Sequence, residues 1–412
     1  MRSSIAAYGE VVRAPGARRL LLSSLPSRMA YGMISLAIYF KVQQETGSIA
    51  IAGLATGLNG LAGALTAGVR GAVIDRFGMI WPLRILVPGY ALMIVALSFG
   101  SGKTELVVLA TVLGLTAPPI NLSVRPLWKI TVPIEKIRTA FALDTATMNS
   151  VGVFAPVIAT TLSLSINPDV ALRVCATSML IGGILLLTTW QVRKWSPEKK
   201  EAKSPPIWRI RGIQLLAVEG VVIGFGWGAF DIGIPAFGTL EGVPERVGIF
   251  FAIMAAFNVL GGLVAGTISR NVSPLRAFRL NYLVWAIVSV PLAFTHMDWS
   301  IALVTALLAF FGGAQQVFYW EITEAVRPRG TAVQAIAWLW TIEGTAAAAG
   351  TAIGGYVAEQ FSPRYCLAAT TVALFLGYFI ISVGRKQLKS ADDIPTPEED
   401  VAAMEDNADN TR

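Results

Sequence analysis

Histidine is all but missing from this chain: His296 is the only one in 412 residues. General acid–base catalysis relies on His more often than on any other side chain, and an imidazole metal cluster needs several. Both are excluded. Cysteine is nearly as scarce, and Cys175 and Cys366 are far apart with no metal or redox spacing, so they read as small apolar residues. No G-x-x-x-x-G-K-[ST] run is present, which removes an ATP-driven motor from this chain. Charge is sparse too, at 14% of residues against 54% hydrophobic. No metal, no cofactor and no enzymatic site is expected.

Apolar length takes the place of these missing groups. Twelve stretches fill almost the whole chain: Leu20–Phe40, Ile49–Val69, Leu83–Phe99, Leu106–Ile130, Ala140–Leu164 and Val170–Val192, then Ile213–Phe237, Gly248–Ile268, Phe278–Phe294, Ile301–Ile322, Ala332–Val357 and Cys366–Val383. A helix needs about 20 residues to cross a hydrocarbon core of about 30 Å. The short alternating segments of a membrane barrel are not seen, so the backbone must satisfy itself as α-helix. The expected fold class is an all-α membrane protein with twelve transmembrane helices in two six-helix bundles.

The net charge of +7 reflects topology rather than a nucleic-acid partner. Only Lys41, Lys103, Arg173, Arg246 and Arg364 fall on the side away from the termini, and Arg28 lies within a span. The remaining Lys and Arg cluster on the side of the termini, which the positive-inside rule places in the cytoplasm. A multi-pass protein of the cell membrane follows, monomeric and surrounded by lipid. The first span is too long for a cleavable signal and lacks a small-residue cleavage site.

Residues 193–211 break the apolar pattern with seven basic residues around Pro197, Pro205 and Pro206. They read as a cytoplasmic linker between an N-terminal bundle, 1–192, and a C-terminal bundle, 212–385. Residues 386–412 turn acidic without an apolar face and read as a disordered tail. Echoes at an offset of about 192–196 residues relate the halves: Pro82-Leu83-Arg84 to Pro274-Leu275-Arg276, Arg28 to Glu219, and Arg125 to Glu321. Pro118-Pro119 in span 4 and Gly312-Gly313 in span 10 read as matched interruptions, which point to a binding site at the bilayer midplane.

The loop after span 2 reads Gly71-Ala72-Val73-Ile74-Asp75-Arg76-Phe77-Gly78. It resembles the signature loop of the major facilitator superfamily, G-x-x-x-D-R-x-G, with Gly71, Asp75, Arg76 and Gly78 at the marked positions. The two basic residues that follow in the family are Met79 and Ile80 here. Arg125-Pro126-Leu127-Trp128, Phe141-Ala142-Leu143-Asp144, Arg329-Gly330-Thr331 and Ala335-Ile336-Ala337-Trp338 make the chain look most like bacterial drug-efflux permeases. It departs from them in span 5, where Ala155-Pro156 keeps the Pro of the antiporter motif but Ala159 and Thr160 replace its glycines. Gln334 and Asn149 also stand where such permeases often carry acids. The resemblance implies rocking of two bundles about a central site, with Asp75 clasping the N-terminus of span 11 across the halves when the cavity opens outward.

Ionisable residues inside spans cost at least about 2.5 kcal/mol on insertion scales, so each is a functional candidate. Arg28 and Glu219 lie at similar depths in spans 1 and 7, which line the cavity in the resembled fold. They could face one another, as a substrate- or proton-sensitive pair or as a fixed one. Glu219, Glu343, Asp231 and Asp144 are the candidates for proton coupling, since a carboxyl in apolar surroundings can take up and release a proton. Arg125 and Glu321, near helix ends, read as gate or topology charges. Arg28, Tyr31, Asn121, Asn149, Gln315, Gln316, Tyr319 and Trp338 are the candidates for a substrate cavity suited to an amphipathic solute. Asn59 and Asn258 could do the same or bridge neighbouring helices. The expected function is export of a small amphipathic compound by alternating access, driven by protons. Uptake or facilitated diffusion of a small polar nutrient, and a non-transporting membrane sensor, are the alternatives.

Overall fold

The structure is a computed structural model and describes residues 2–133, 136–195, 207–265, 273–327 and 332–391. The N-half comprises α1 (Arg2–Arg13), α2 (Ala17–Thr46), α3 (Ile49–Phe77), α4 (Ile80–Phe99), α5 (Lys103–Thr116), α6 (Ile120–Thr131), α7 (Ile137–Ser165), α8 (Pro168–Leu187) and α9 (Trp190–Lys194). The C-half comprises α10 (Arg211–Leu240), α11 (Arg246–Ala265), α12 (Pro274–Ser289), α13 (Trp299–Val326), α14 (Ala332–Gln360) and α15 (Pro363–Val383). Helices occupy each of the twelve apolar stretches, with span 4 in two pieces, and among the described residues there is no strand.

Among the described residues, nine helices are long and apolar enough to cross a membrane. The other three predicted spans fall short for local reasons. Ser23, Ser24, Ser27 and Arg28 make α2 more polar, α14 is rich in Ala and Gly and carries Glu343, and span 4 is divided into α5 and α6. Pro118 and Pro119 cause that division, because neither has an N–H to donate and neither fits a helix interior. The expected partner interruption in span 10 is not present: α13 runs unbroken through Gly312-Gly313. Glycine costs a helix about 1 kcal/mol where proline costs about 3, so the glycine pair thins α13 without breaking it.

The helix pairings of one half recur in the other. The pairs α2·α8, α2·α7, α3·α5 and α4·α8 are matched by α10·α15, α10·α14, α11·α13 and α12·α15. Side chains repeat as well. Asn59 Nδ2 donates to Ala110 O at 2.8 Å, and Asn258 Nδ2 donates to Ala309 O at 3.4 Å, both across 51 residues. Both asparagines therefore bridge neighbours. Asn167 and Ser362 cap α8 and α15, each ahead of a proline at the first helical position. Duplication is thus written in capping and bridging residues at least as clearly as in charge.

The halves meet along α3·α14 and α7·α11. This seam lies on the far side, away from the termini. A Cβ added at Gly53 would fall 2.7 Å from Gly355 Cα, so the two helices touch backbone to backbone. Nearby, Glu359 accepts from Ser48 Oγ at 2.7 Å and from the Ala50 N–H, capping the start of α3 from the opposite half. The Tyr39 and Thr239 hydroxyls meet at 3.0 Å across the same seam.

On the terminal side, α1 is an additional helix that the apolar pattern does not announce. The Lys136 ammonium, 2.7 Å from Glu10, ties it to the start of α7 and holds that carboxyl below the usual range. A 3-10 segment, Gly384–Ala391, buries Leu388 against the bundle, so ordered chain continues past the expected boundary at 385. The rest of the tail and most of the 193–211 linker lie outside the described residues.

A Cβ at Gly313 would collide with the Asn258 carbonyl, whereas one at Gly89 would meet nothing within 4 Å. Gly313→Val is expected to destabilise the protein by about 1–3 kcal/mol, and Gly89→Ala to leave it unchanged. Thermal unfolding of the two purified variants measures the difference.

Candidate functional site

Buried charge in the N-half is internally consumed. Arg28 Nη2 donates to Asp144 Oδ1 at 2.7 Å, with the two side chains 2% and 0% exposed. The expected partnership of Arg28 with Glu219 is therefore corrected: α2 packs on α7 within its own half, and Asp144 is the acid that α7 presents. Arg28 lines neither of the cavities described below. Tyr31 and Asn121 do not line them either, because the Tyr31 hydroxyl donates to Pro118 O and Asn121 is half-buried beside the break in span 4.

That break is held by a cation from α3, just past the apolar stretch of span 2. Arg70 Nη1 donates to the carbonyls of Gly114 and Ala117, and Nη2 to Gly63 O at 2.7 Å. A helix end leaves its last carbonyls without intrahelical donors, and inside a membrane no water stands ready to serve them. The guanidinium fills that role.

The C-half holds a cavity of about 220 Å³ with two carboxyls in its lining, Glu219 and Glu343. Glu219 sits on α10, where Ile223 and Trp227 follow at four-residue spacing and line the cavity from the same helix face. Its Oε1 accepts from the Tyr282 hydroxyl of α12 at 2.6 Å. Gly224 lets α14 approach so closely that an added Cβ would strike the Glu343 backbone. This approach sets Glu343 opposite Glu219. Glu343 has no hydrogen-bond or ion-pair partner among the described residues.

Aromatic rings and amides complete the walls. Trp227 and Trp285 lie 5.8 Å apart at a 40° tilt, and Trp320 and Trp340 lie 5.8 Å apart at 62°. Gly312 gives Trp285 its room, since a Cβ there would lie 3.1 Å from the indole ring. The Trp285 N–H is taken by Leu308 O at 2.7 Å. Asn281 donates to Gln315 Oε1 at 2.8 Å, which leaves the buried Gln315 Nε2 without an acceptor.

Of the predicted cavity residues, Gln315, Gln316 and Tyr319 line this space, and Trp338 does not. Trp338 packs against the core instead. Trp340 takes its place because it lies three residues before Glu343 on one helix face, whereas Trp338 lies five before it and points elsewhere. Trp227, Trp285, Trp320 and Tyr282 were not singled out from sequence. Four-residue spacing from Glu219 on α10 leads to Trp227, and from Gly312 on α13 to Trp320; Trp285 and Tyr282 lie on α12, which carried no predicted site residue to count from.

A second cavity, of about 180 Å³, lies in the seam between the halves. Ser35, Tyr39 and Thr56 line it from the N-half, and Asp231 and Thr351 from the C-half. Asp231 is exposed to it. Glu321 is exposed on the last turns of α13 and lines neither cavity. The side chains of Asp75, Arg76, Arg125 and Asn149 lie outside the described residues. Within the signature loop, Gly78 closes α3 at φ 78°, a backbone angle that favours glycine, and its N–H reaches Ile74 O at 2.8 Å. Gly71 sits inside α3 with open space around it.

Two duplicated six-helix bundles, joined along a far-side seam and enclosing carboxyl-lined cavities, define a multi-pass integral membrane protein. A family model described as the Major Facilitator Superfamily matches residues 20–332. The chain belongs to that superfamily. No curated protein matches it. Among solved structures, it is similar to a bacterial homologue of the iron transporter ferroportin in its inward-facing state. The TM-score is 0.73 at 14% identity, over 89% of this chain and 98% of that one. It is also similar to a bacterial homologue of the human lysosomal transporter Spinster, inward-facing and occupied, at TM-score 0.72 and 13% identity over 92% and 97%. The nucleoside transporter NupG matches at TM-score 0.70 and 12% identity over 90% and 98%. Family and neighbours make this chain a transporter rather than an enzyme.

Breaking the Arg28–Asp144 pair from one side strands a buried charge. Arg28→Met or Asp144→Leu alone is expected to cost about 3–5 kcal/mol, and the double substitution to recover most of it. Thermal unfolding of the three variants provides the cycle.

Proposed function

We propose that this protein is a secondary active transporter of the cell membrane, both termini cytoplasmic, that exports a small amphipathic organic compound in exchange for protons. The observation that supports this best is the convergence of Glu219 and Glu343 on an aromatic cavity whose described lining contains no Lys, Arg or His. A carboxyl that must be satisfied within the membrane can alternate between a proton and a solute. Glu343, unpartnered, and Glu219, held by Tyr282, are the first choices for that role, and Asp231 in the seam cavity is the next. Asp144 is bonded to Arg28 and serves as the acid of a structural pair.

The far-side seam supports alternating access. Glu359, Tyr39 and the Gly53–Gly355 contact close that side, which corresponds to a state open toward the termini. In the opposite state the Asp75 contact with the start of span 11 would take over the clasping role. The transporter acts as a monomer in lipid, with protons and a small solute as its partners.

In proteoliposomes, solute-dependent proton movement is expected from the wild type, with Glu343→Gln or Glu219→Gln reducing it at least tenfold. Flux that ignores the pH gradient would instead identify a facilitator for a polar nutrient, for which the amides Asn258, Gln315 and Gln316 are suited. No flux of any solute, with ligand-dependent binding of a protein partner, would identify a sensor. For the seam, Glu359→Ala is expected to speed thiol labelling of a cysteine placed at Thr351 in a background lacking Cys175 and Cys366. An unchanged rate would remove Glu359 from the gate.

A further inference from the structure

We propose that the C-half cavity is a receptor for a small organic ammonium cation, held by Glu343 and Glu219 inside a box of tryptophan rings. This rests on the transport reading above and names the chemical class of its solute.

Charge supplies the first argument. Two carboxyls line the cavity, and no basic side chain among its described lining answers them. Glu219 already accepts the Tyr282 hydroxyl, but Glu343 has no partner of its own among the described residues. An intramembrane acid left in this way is a site waiting for a cation.

The walls decide what sort of cation. A hard metal ion favours a dense set of carboxylate oxygens. Only two carboxyls line this space, and four of its twelve lining residues are tryptophans. No group of three or more His, Cys, Asp or Glu gathers among the described residues. Trp227 and Trp285 form one paired wall and Trp320 and Trp340 another. The Trp285 N–H is committed to Leu308 O, so this ring offers its π-face rather than a donor. Aromatic faces, tryptophan above all, attract ammonium groups, and a box of them is the usual receptor for a quaternary nitrogen.

Size and polarity refine the class. About 220 Å³ lies below the roughly 300–1,000 Å³ of pockets that take drug-sized ligands, so the space admits a small amine or the head of a larger one. Gln315, 5% exposed, carries an Nε2 with no acceptor. That donor selects an ammonium compound carrying a nearby hydroxyl, ether or carbonyl oxygen. Neutral and anionic solutes would leave both carboxyls unanswered.

The test is titration calorimetry on the full-length protein in detergent with benzyltrimethylammonium and its neutral isostere neopentylbenzene, in which carbon replaces nitrogen. The cation is expected to bind one per chain and at least tenfold more tightly than the hydrocarbon. Glu343→Gln should weaken it at least tenfold, and Trp340→Phe by a smaller factor at a half-exposed position that folding tolerates. Equal binding of the two probes, no binding of the cation, or an unaffected Glu343→Gln protein of unchanged melting temperature would overturn the assignment. Cation binding without flux of any solute in proteoliposomes would keep the site and remove the export reading. Proton-driven flux of another solute without cation binding would do the reverse.

Discussion

A polar group within a bilayer has no water to fall back on, and almost every feature of this molecule answers that demand. Where Pro118 and Pro119 cut span 4, Arg70 crosses from α3 to receive the freed carbonyls. Where α2 carries a guanidinium into the interior, α7 meets it with Asp144. Where α3 begins at the far side, Glu359 reaches over from the other half to accept from the Ser48 hydroxyl and the Ala50 N–H. Glu343 and Gln315 Nε2 have no such answer among the described residues, and both belong to the C-half cavity. Unanswered polarity is costly within a membrane, and here it borders open volume that a solute can enter.

The all-α membrane fold could be read from sequence because a run of about 20 apolar residues has one cheap conformation in lipid. Side-chain partnerships were less accessible. Arg28 and Glu219 occupy equivalent positions in the two halves, and symmetry alone made them look like partners. Their real contacts are decided by which helix lies beside each one, and α7 and α12 supply Asp144 and Tyr282 respectively. Gly312-Gly313 was mistaken for a break because glycine marks both helix interruption and close packing. Only the neighbouring Trp285 and Asn258 show which applies. The tryptophan walls were missed for a related reason: helical spacing gives the face of each helix but not which faces turn toward one another.

The two halves share their helix pairings and bridging asparagines but have divided their chemistry. The N-half closes its buried charge on itself. The C-half keeps acids, amides and indoles around open volume. A duplicated scaffold in which one copy preserves structure and the other keeps a cavity needs no exact symmetry at the site, and the α10·α14 approach through Gly224 is where that divergence is built.

Arg70 ties α3 to the α5 side of the split in span 4, and α3 is also the helix that meets α14 at the seam. A discontinuous helix would ordinarily be the soft joint of a bundle. Here the guanidinium braces the first segment, so movement of α3 carries α5 with it. Slack is left to the hollow C-half, and any reshaping around a guest falls on that side of the molecule. In a rocking motion the two halves would then be unequal, a braced lever working against a hollow cup.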